Sequence, residues 1–177
     1  MEKRELLKKQ IVDLRVRLDG YCHDMSFRFF NGLYISDAFS SVRMGRAWLG
    51  KSLAYLGEST PYRVVDKVSD IPEASDKSDR SPVEEFKERD ERLKEVNRLR
   101  LELGKAIEDI NVFEYRYMGL TEAKKFNECL NNACVHLQEA RFYLGFELEG
   151  MKGISDIADG VMKAVMDELT GKDGGKE

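Results

Sequence analysis

The spacing of apolar residues constrains the fold of this chain more than any other feature. Apolar residues recur at intervals of three and four along most of the sequence, first at Leu7, Ile11, Leu14 and Leu18. This spacing is typical of amphipathic helices, which must bury their apolar face against one another. We therefore predict an all-α fold, a helical bundle of two long-helix hairpins related by internal duplication, plus a short C-terminal helix.

The turn and breaker residues predict where these elements begin and end. Ser36 is expected to cap the second helix, which ends near Gly57. Ser81 to Glu84 matches a capping box with proline at the first helical position, so a long helix is predicted from there to about Met118. Gly153 is expected to end the fourth helix. The predicted units are a first helical hairpin, a loop or linker, a second helical hairpin, and a C-terminal helix with a polar tail, at residues 1–57, 58–81, 82–153 and 154–177.

The predicted linker, residues 58–81, contains Pro61 and Pro72 and is rich in serine and aspartate. Loops of this length are uncommon inside compact domains and are often functional or mobile. Two interpretations have equal weight, a lid over a ligand and a plain linker.

Charge and hydropathy exclude two classes of partner. The formal net charge is −4, whereas dedicated DNA-binding domains usually carry a basic surface, so we expect no DNA partner. No apolar run approaches the length that crosses a bilayer, and the chain opens with charged residues rather than a signal segment. These features predict a cytoplasmic protein with no membrane partner.

The three cysteines, Cys22, Cys129 and Cys134, are odd in number and form no C-x-x-C pair. Reduced, buried thiols are therefore expected. A metal site that joins them to His23 and His136 is a weaker alternative, because positions 129 and 134 face different sides of a helix. We expect no metal and no cofactor.

A thirteen-residue segment occurs twice. Residues 38–50 align with residues 133–145 at a constant offset (133 − 38 = 95), and Arg46 meets Arg141 while Gly50 meets Gly145. A glycine inside a helix costs about 1 kcal/mol relative to alanine. Two glycines, each four residues after an arginine, therefore suggest a close helix approach or room for a ligand. The alternative is that the arginines extend along the bundle surface.

No motif for catalysis is present, since the chain lacks a Ser-His-Asp set, a glycine-rich phosphate loop and an H-E-x-x-H helix. We therefore predict that the protein is not an enzyme. Basic and aromatic residues instead gather around the repeated segments and the linker, and suit an anionic, ring-bearing ligand, although each aromatic side chain could simply pack in the core. The predicted ligand-binding residues are Arg46, Trp48, Lys51, Tyr62, Arg63, His136, Arg141 and Tyr143.

The first repeated segment carries a family resemblance. Its motifs resemble a pattern of small helical phage proteins, and more distantly the C-terminal helix of the phage anti-CBASS sponges, which bind cyclic oligonucleotides. The residues concerned are Arg46-Ala47-Trp48-Leu49-Gly50, Leu53, Leu56-Gly57 and Thr60-Pro61-Tyr62, with Leu137-Gln138-Glu139-Ala140 and Tyr143 in the second copy. The chain departs from that pattern where the family threonine falls on Ser40 and Val135, and where its acidic pair falls on Arg43-Met44 and Gln138-Glu139.

The resemblance implies a non-enzymatic, helical, homo-oligomeric protein that sequesters a small nucleotide-derived signalling molecule of bacterial immunity, here in a fused tandem form. The alternative is a phage interaction or structural module that binds a partner through the seven-residue seam of the third helix, Val96, Leu103, Ile110 and Tyr117. A third, weaker interpretation is a hydrolase or nucleotide-processing enzyme that uses His136.

Overall fold

The computed structural model describes residues 2–28, 32, 34–58, 82–116 and 123–169. These residues form four α-helices and no strand, which confirms the predicted all-α fold. The helices are α1 (Glu2–Arg28), α2 (Ile35–Tyr55), α3 (Pro82–Arg116) and α4 (Ala123–Leu169).

The helices pack in the spatial order α1, α2, α4, α3, and α3 closes the ring with a small contact to α1. Each neighbouring pair is antiparallel. Arg4 at the start of α1 reaches Leu56 at the end of α2, and Arg92 near the start of α3 reaches Glu147 late in α4. Glu147 also binds the backbone at Tyr34, where α2 begins. The chain therefore forms one bundle from two antiparallel hairpins.

This order makes α2 and α3 run in the same direction. The end of α2 and the beginning of α3 thus lie at opposite ends of the bundle, separated by the length of α2, roughly 30 Å at about 1.5 Å per residue. The chain must cross that distance between the two hairpins. The predicted linker, and with it the lid hypothesis, lies outside the described residues except for Glu58.

A single apolar core runs along the bundle, and all four helices contribute to it. In α3 the seven-residue seam faces this core, since Val96 and Leu103 are fully buried and Ile110 is almost so. Tyr117 lies outside the described residues. The seam is therefore used inside the chain, and the expectation that it is exposed to a partner is wrong for the positions described.

Helices α2 and α4 approach each other closely at Gly45. A Cβ atom at Gly45 would lie 2.9 Å from Cδ2 of Leu137 and 3.2 Å from the carbonyl oxygen of Ala133. Only glycine lets the two backbones pack at this separation without displacing a neighbour.

The two ends of α2 differ in how well the sequence predicted them. The predicted Ser36 cap is wrong, because the N-cap is Tyr34 and makes no side-chain capping bond. Its backbone N–H instead donates to Oε2 of Glu147 at 3.2 Å. The predicted end near Gly57 is confirmed, because Gly57 has a φ of +74° and Glu58 donates its N–H to the carbonyl of Leu53, as in a Schellman motif.

The fourth helix does not end at Gly153. Helix α4 is continuous for 47 residues, so the predicted separate C-terminal helix is wrong. Gly150, Gly153 and Gly160 each lie in open space. A helical glycine costs about 1 kcal/mol relative to alanine, and α4 contains no proline that would force a break.

The long helices also correspond, a relation that the sequence alone did not reveal. At an offset of 85 (96 − 11 = 85), five buried apolar positions of α1 fall on buried apolar positions of α3, and the exposed Val16 falls on the exposed Leu101, each 58% exposed. The buried pairs are Ile11 with Val96, Leu14 with Leu99, Leu18 with Leu103, Cys22 with Ile107, and Met25 with Ile110. Internal duplication stays a prediction, and this correspondence supports it.

The packing of α2 on α4 predicts that the same substitution at two glycines changes the free energy of unfolding by different amounts. Gly45→Val should lower the free energy of unfolding by about 1–3 kcal/mol, because overpacking must displace Leu137 or the backbone of α4. Gly20→Val is the control, because nothing lies within 4 Å of a Cβ there. Chemical denaturation monitored by circular dichroism measures both. Equal stability of the two variants would contradict the close approach.

Candidate functional site

The two arginines of the repeated segments do not converge on one site. Arg46 faces α1, where its Nη1 lies 2.6 Å from Oδ1 of Asp19. Arg141 faces α3, where its Cζ lies 3.5 Å from the place of a Cβ atom at Gly104. Because α1 packs mainly on α2 and α3 packs mainly on α4, each arginine lies in its own hairpin.

The other predicted ligand-binding residues are also spread over the bundle. Nζ of Lys51 lies 4.5 Å from the ring centroid of Trp48, a cation–π contact. His136 is paired with Glu139, one turn along α4, at 2.9 Å, and Tyr143 packs against the core. Tyr62 and Arg63 lie outside the described residues.

Arg141 is the predicted residue that lines a cleft. This α3–α4 cleft has a volume of about 330 Å³ and is lined by Arg100, Gln138, Arg141 and Phe142. Its size reaches the lower end of the range that small-molecule sites occupy, about 300–1,000 Å³. Arg100, Gln138 and Phe142 were absent from the sequence-based set.

The two arginines of the cleft have a reciprocal arrangement. Arg141 lies against Gly104 of α3, while Nε of Arg100 lies 3.7 Å from the place of a Cβ atom at Gly145 of α4. In each helix the arginine precedes its glycine by four residues, one helical turn. Since the helices are antiparallel, each guanidinium rests on a part of the facing helix that has no side chain. The glycines thus give the arginines their positions.

The cleft carries uncompensated positive charge. Neither Arg100 nor Arg141 forms an ion pair or side-chain hydrogen bond with another described residue, and Nε of Arg141 is buried without a hydrogen-bond partner. A buried donor without an acceptor costs about 1–3 kcal/mol, and more if it is charged. Nε of Arg46, which does not line the cleft, is buried in the same way, so it is the lack of a carboxylate partner that distinguishes the two cleft arginines. Guanidinium groups favour the planar, paired oxygens of phosphates and carboxylates.

An aromatic ring lies beside the two charges. Phe142 is 68% exposed, which is unusual for a phenyl ring with no polar atom to hydrate. A flat heterocycle can stack on such a ring at about 1–3 kcal/mol per base. The cleft therefore offers charge for an oxyanion and a surface for a ring, at neighbouring positions on α3 and α4.

A signal for Arg100 existed in the sequence. Within helices α2, α3 and α4, the spacing Arg-x-x-x-Gly occurs at Arg46 and Gly50, at Arg100 and Gly104, and at Arg141 and Gly145. The comparison of residues 38–50 with residues 133–145 covers only the first and last of these. Phe142 has no such signal, because its exposure depends on which face of α4 meets α2.

The three cysteines are free thiols, and two of them, Cys22 and Cys129, are buried. Burial raises the pKa of the Cys22 thiol to about 12, and the nearby carboxylate of Asp19 raises it further while Arg46 and Arg43 oppose the shift. Burial also raises the pKa of Cys129. Among the described residues, no group of three or more His, Cys, Asp or Glu side chains could hold a metal ion.

Comparison of the chain with protein-family models, curated proteins and solved structures finds no match. In the described part of the chain, no helix is long and apolar enough to span a bilayer. The interpretation of the cleft therefore rests on its own geometry.

The burial of the thiols predicts an order of chemical labelling. Cys134, which is half-buried, should react with a thiol reagent at pH 8 in the folded protein well before Cys22 and Cys129, which are buried and hold their protons. Mass spectrometry of partly labelled protein measures the order, with unfolded protein as the control. Simultaneous labelling of all three would contradict the burial.

The same burial predicts a loss of stability at high pH. The folded chain keeps the Cys22 proton up to a pKa of about 12, whereas the unfolded thiol releases it near the ordinary pKa of a cysteine, 9.0. The contribution of this group is therefore complete below pH 9 and is lost as the pH rises toward 12. Cys22→Ala should flatten this part of the stability profile in denaturation at several pH values. A profile that is unchanged from that of the wild type would contradict the assignment.

Proposed function

We propose that this protein binds and sequesters a small nucleotide-derived signal, such as a cyclic nucleotide, without converting it. The observation that carries the proposal is the α3–α4 cleft, where Arg100 and Arg141 have no carboxylate partner among the described residues and lie beside the exposed ring of Phe142. A phosphate and a nucleobase together match these two features.

The lining of the cleft favours binding over chemistry. Two guanidinium groups, the amide of Gln138 and a phenyl ring can hold an anion, but none of them is a nucleophile or a general base near neutral pH. His136 is paired with Glu139 and does not line the cleft. A bound ligand should therefore leave unchanged.

The biological setting of the proposal comes from the resemblance to the phage sponges. We propose a phage-encoded protein that counters host defence in the bacterial cytoplasm by lowering the free concentration of an immune signal. The correspondence of α1 with α3 and of α2 with α4 supports a fused tandem form. We further propose a homo-oligomer, which would need fewer subunits than an assembly of single hairpins.

A second candidate, a helical interaction module, is favoured by an apolar face of α4 that shares Phe142 with the cleft. Val135, Phe142 and Phe146 on α4 are each about half exposed or more and are spaced by seven and four residues, so they share one face. Contiguous exposed apolar surface often marks a protein interface. Val135→Asp should abolish association with a partner protein if this function is the right one, and should leave ligand binding unchanged if sequestration is.

Sequestration predicts stabilisation by an intact ligand. The purified protein is incubated with a panel of cyclic di- and trinucleotides and ADP-ribose signals, and its thermal unfolding is followed. A ligand present at a hundred times its Kd should add about 2.7 kcal/mol of stability. Chromatography after denaturation should return the ligand unchanged. A converted product would contradict the proposal in favour of an enzyme, and no shift with any panel member would contradict nucleotide binding.

A further inference from the structure

The two hairpins hold equivalent arginines that differ in their carboxylate partner, although Nε of each is buried without a hydrogen-bond partner. In the first hairpin, Arg46 is neutralised by Asp19 of the facing helix. In the second, Arg141 meets Gly104 at the facing position and has no carboxylate within hydrogen-bond distance among the described residues. Arg46 and Arg141 correspond in the repeat, so the difference lies in what each long helix presents.

The positions around these arginines correspond as well. The offset of 85 that relates α1 to α3 aligns Arg15 with Arg100 and Asp19 with Gly104 (19 + 85 = 104). In the first hairpin, Arg15 lies one turn before Asp19, which faces Arg46. In the second, Arg100 lies one turn before Gly104, which faces Arg141. Arg15 is only 6% exposed, whereas Arg100 is exposed and lines the cleft.

We propose that the α3–α4 cleft binds the phosphate group of one ligand per chain between Arg100 and Arg141, and that Asp19 holds the equivalent position of the first hairpin closed. The class of ligand rests on the proposed function, whereas the location and the number of sites rest on the contacts of the arginines.

Charge explains why one position is open and the other is closed. At 2.6 Å, the carboxylate of Asp19 already supplies Arg46 with the oxygen that a phosphate would offer. An incoming phosphate would have to displace it or meet its negative charge. At Gly104 neither obstacle exists, and the absence of a side chain leaves the Arg141 guanidinium accessible from the cleft.

Exchange of the two residues that face the arginines tests this inference. Gly104→Asp introduces a carboxylate next to Arg141, where a Cβ fits at an ordinary contact distance of 3.5 Å. We expect at least ten-fold weaker binding, since a hydrogen bond between charged groups is worth roughly ten-fold or more in affinity. Gly104→Ala is the matched control, because it adds the Cβ without the charge, and should bind within about three-fold of wild type.

The converse substitution tests the closed position. Asp19→Ala removes the carboxylate from Arg46 and should raise the number of bound ligands from one per chain to two. Asp13→Ala is the control, because Asp13 is exposed on the same helix, and should leave the number at one. Isothermal titration with pyrophosphate, and with the panel member that most stabilises the wild type, measures affinity and stoichiometry. Circular dichroism of each variant checks the fold.

The outcomes separate this inference from the proposed function. Wild-type affinity in Gly104→Asp, or in the surface variant Arg100→Gln if the former does not fold, would overturn the location of the site while leaving sequestration intact. One ligand per chain in Asp19→Ala, or two in the wild type, would overturn the closed position. Absence of binding by the wild type to every probe would overturn both the inference and the proposed function.

Discussion

The antiparallel packing of α2 against α4 is the contact on which the rest of the bundle depends. Gly45 allows the two helices to approach until its backbone meets Leu137 and Ala133. At the other end of the contact, buried Glu147 holds both the start of α2 and the guanidinium of Arg92 from α3. With this pair fixed, α1 packs mainly on α2 and α3 mainly on α4, and a smaller contact joins α1 to α3. Each repeated arginine therefore faces the long helix of its own hairpin.

In that arrangement the long helices, and not the repeated segments, determine the charge environment of the two arginines. The repeated segments supply the same arginine and glycine to both hairpins. The residue across the interface differs, being a carboxylate at Asp19 and no side chain at Gly104. An ion pair through Nη1 neutralises the charge of the first arginine inside the fold, while the second has no carboxylate partner among the described residues. In this account a functional difference between two similar halves arises from one position on a neighbouring helix.

The sequence predicted the helices well because their apolar spacing is regular, and it predicted the end of α2 because Gly57 adopts the φ that favours glycine. The predicted Ser36 cap was wrong because α2 begins after Tyr34, whose backbone binds the distant carboxylate of Glu147. The predicted end at Gly153 was wrong because α4 continues through that glycine. The sequence-based ligand-binding residues include Arg141 of the α3–α4 cleft but not Arg100. Side-chain spacing shows which residues share a helix face, but the packing of α3 on α4 decides which faces meet.

Arg100 and Arg141 have no carboxylate partner among the described residues, whereas Arg46 is paired with Asp19 through Nη1. Nitrogen-15 NMR of the arginine guanidinium groups, followed at both Nε and Nη, distinguishes the three side chains. On addition of pyrophosphate, we expect the resonances of Arg100 and Arg141 to shift together with a single affinity while those of Arg46 stay in place. An equal shift of Arg46, or a shift of Arg46 alone, would contradict an anion site in the α3–α4 cleft.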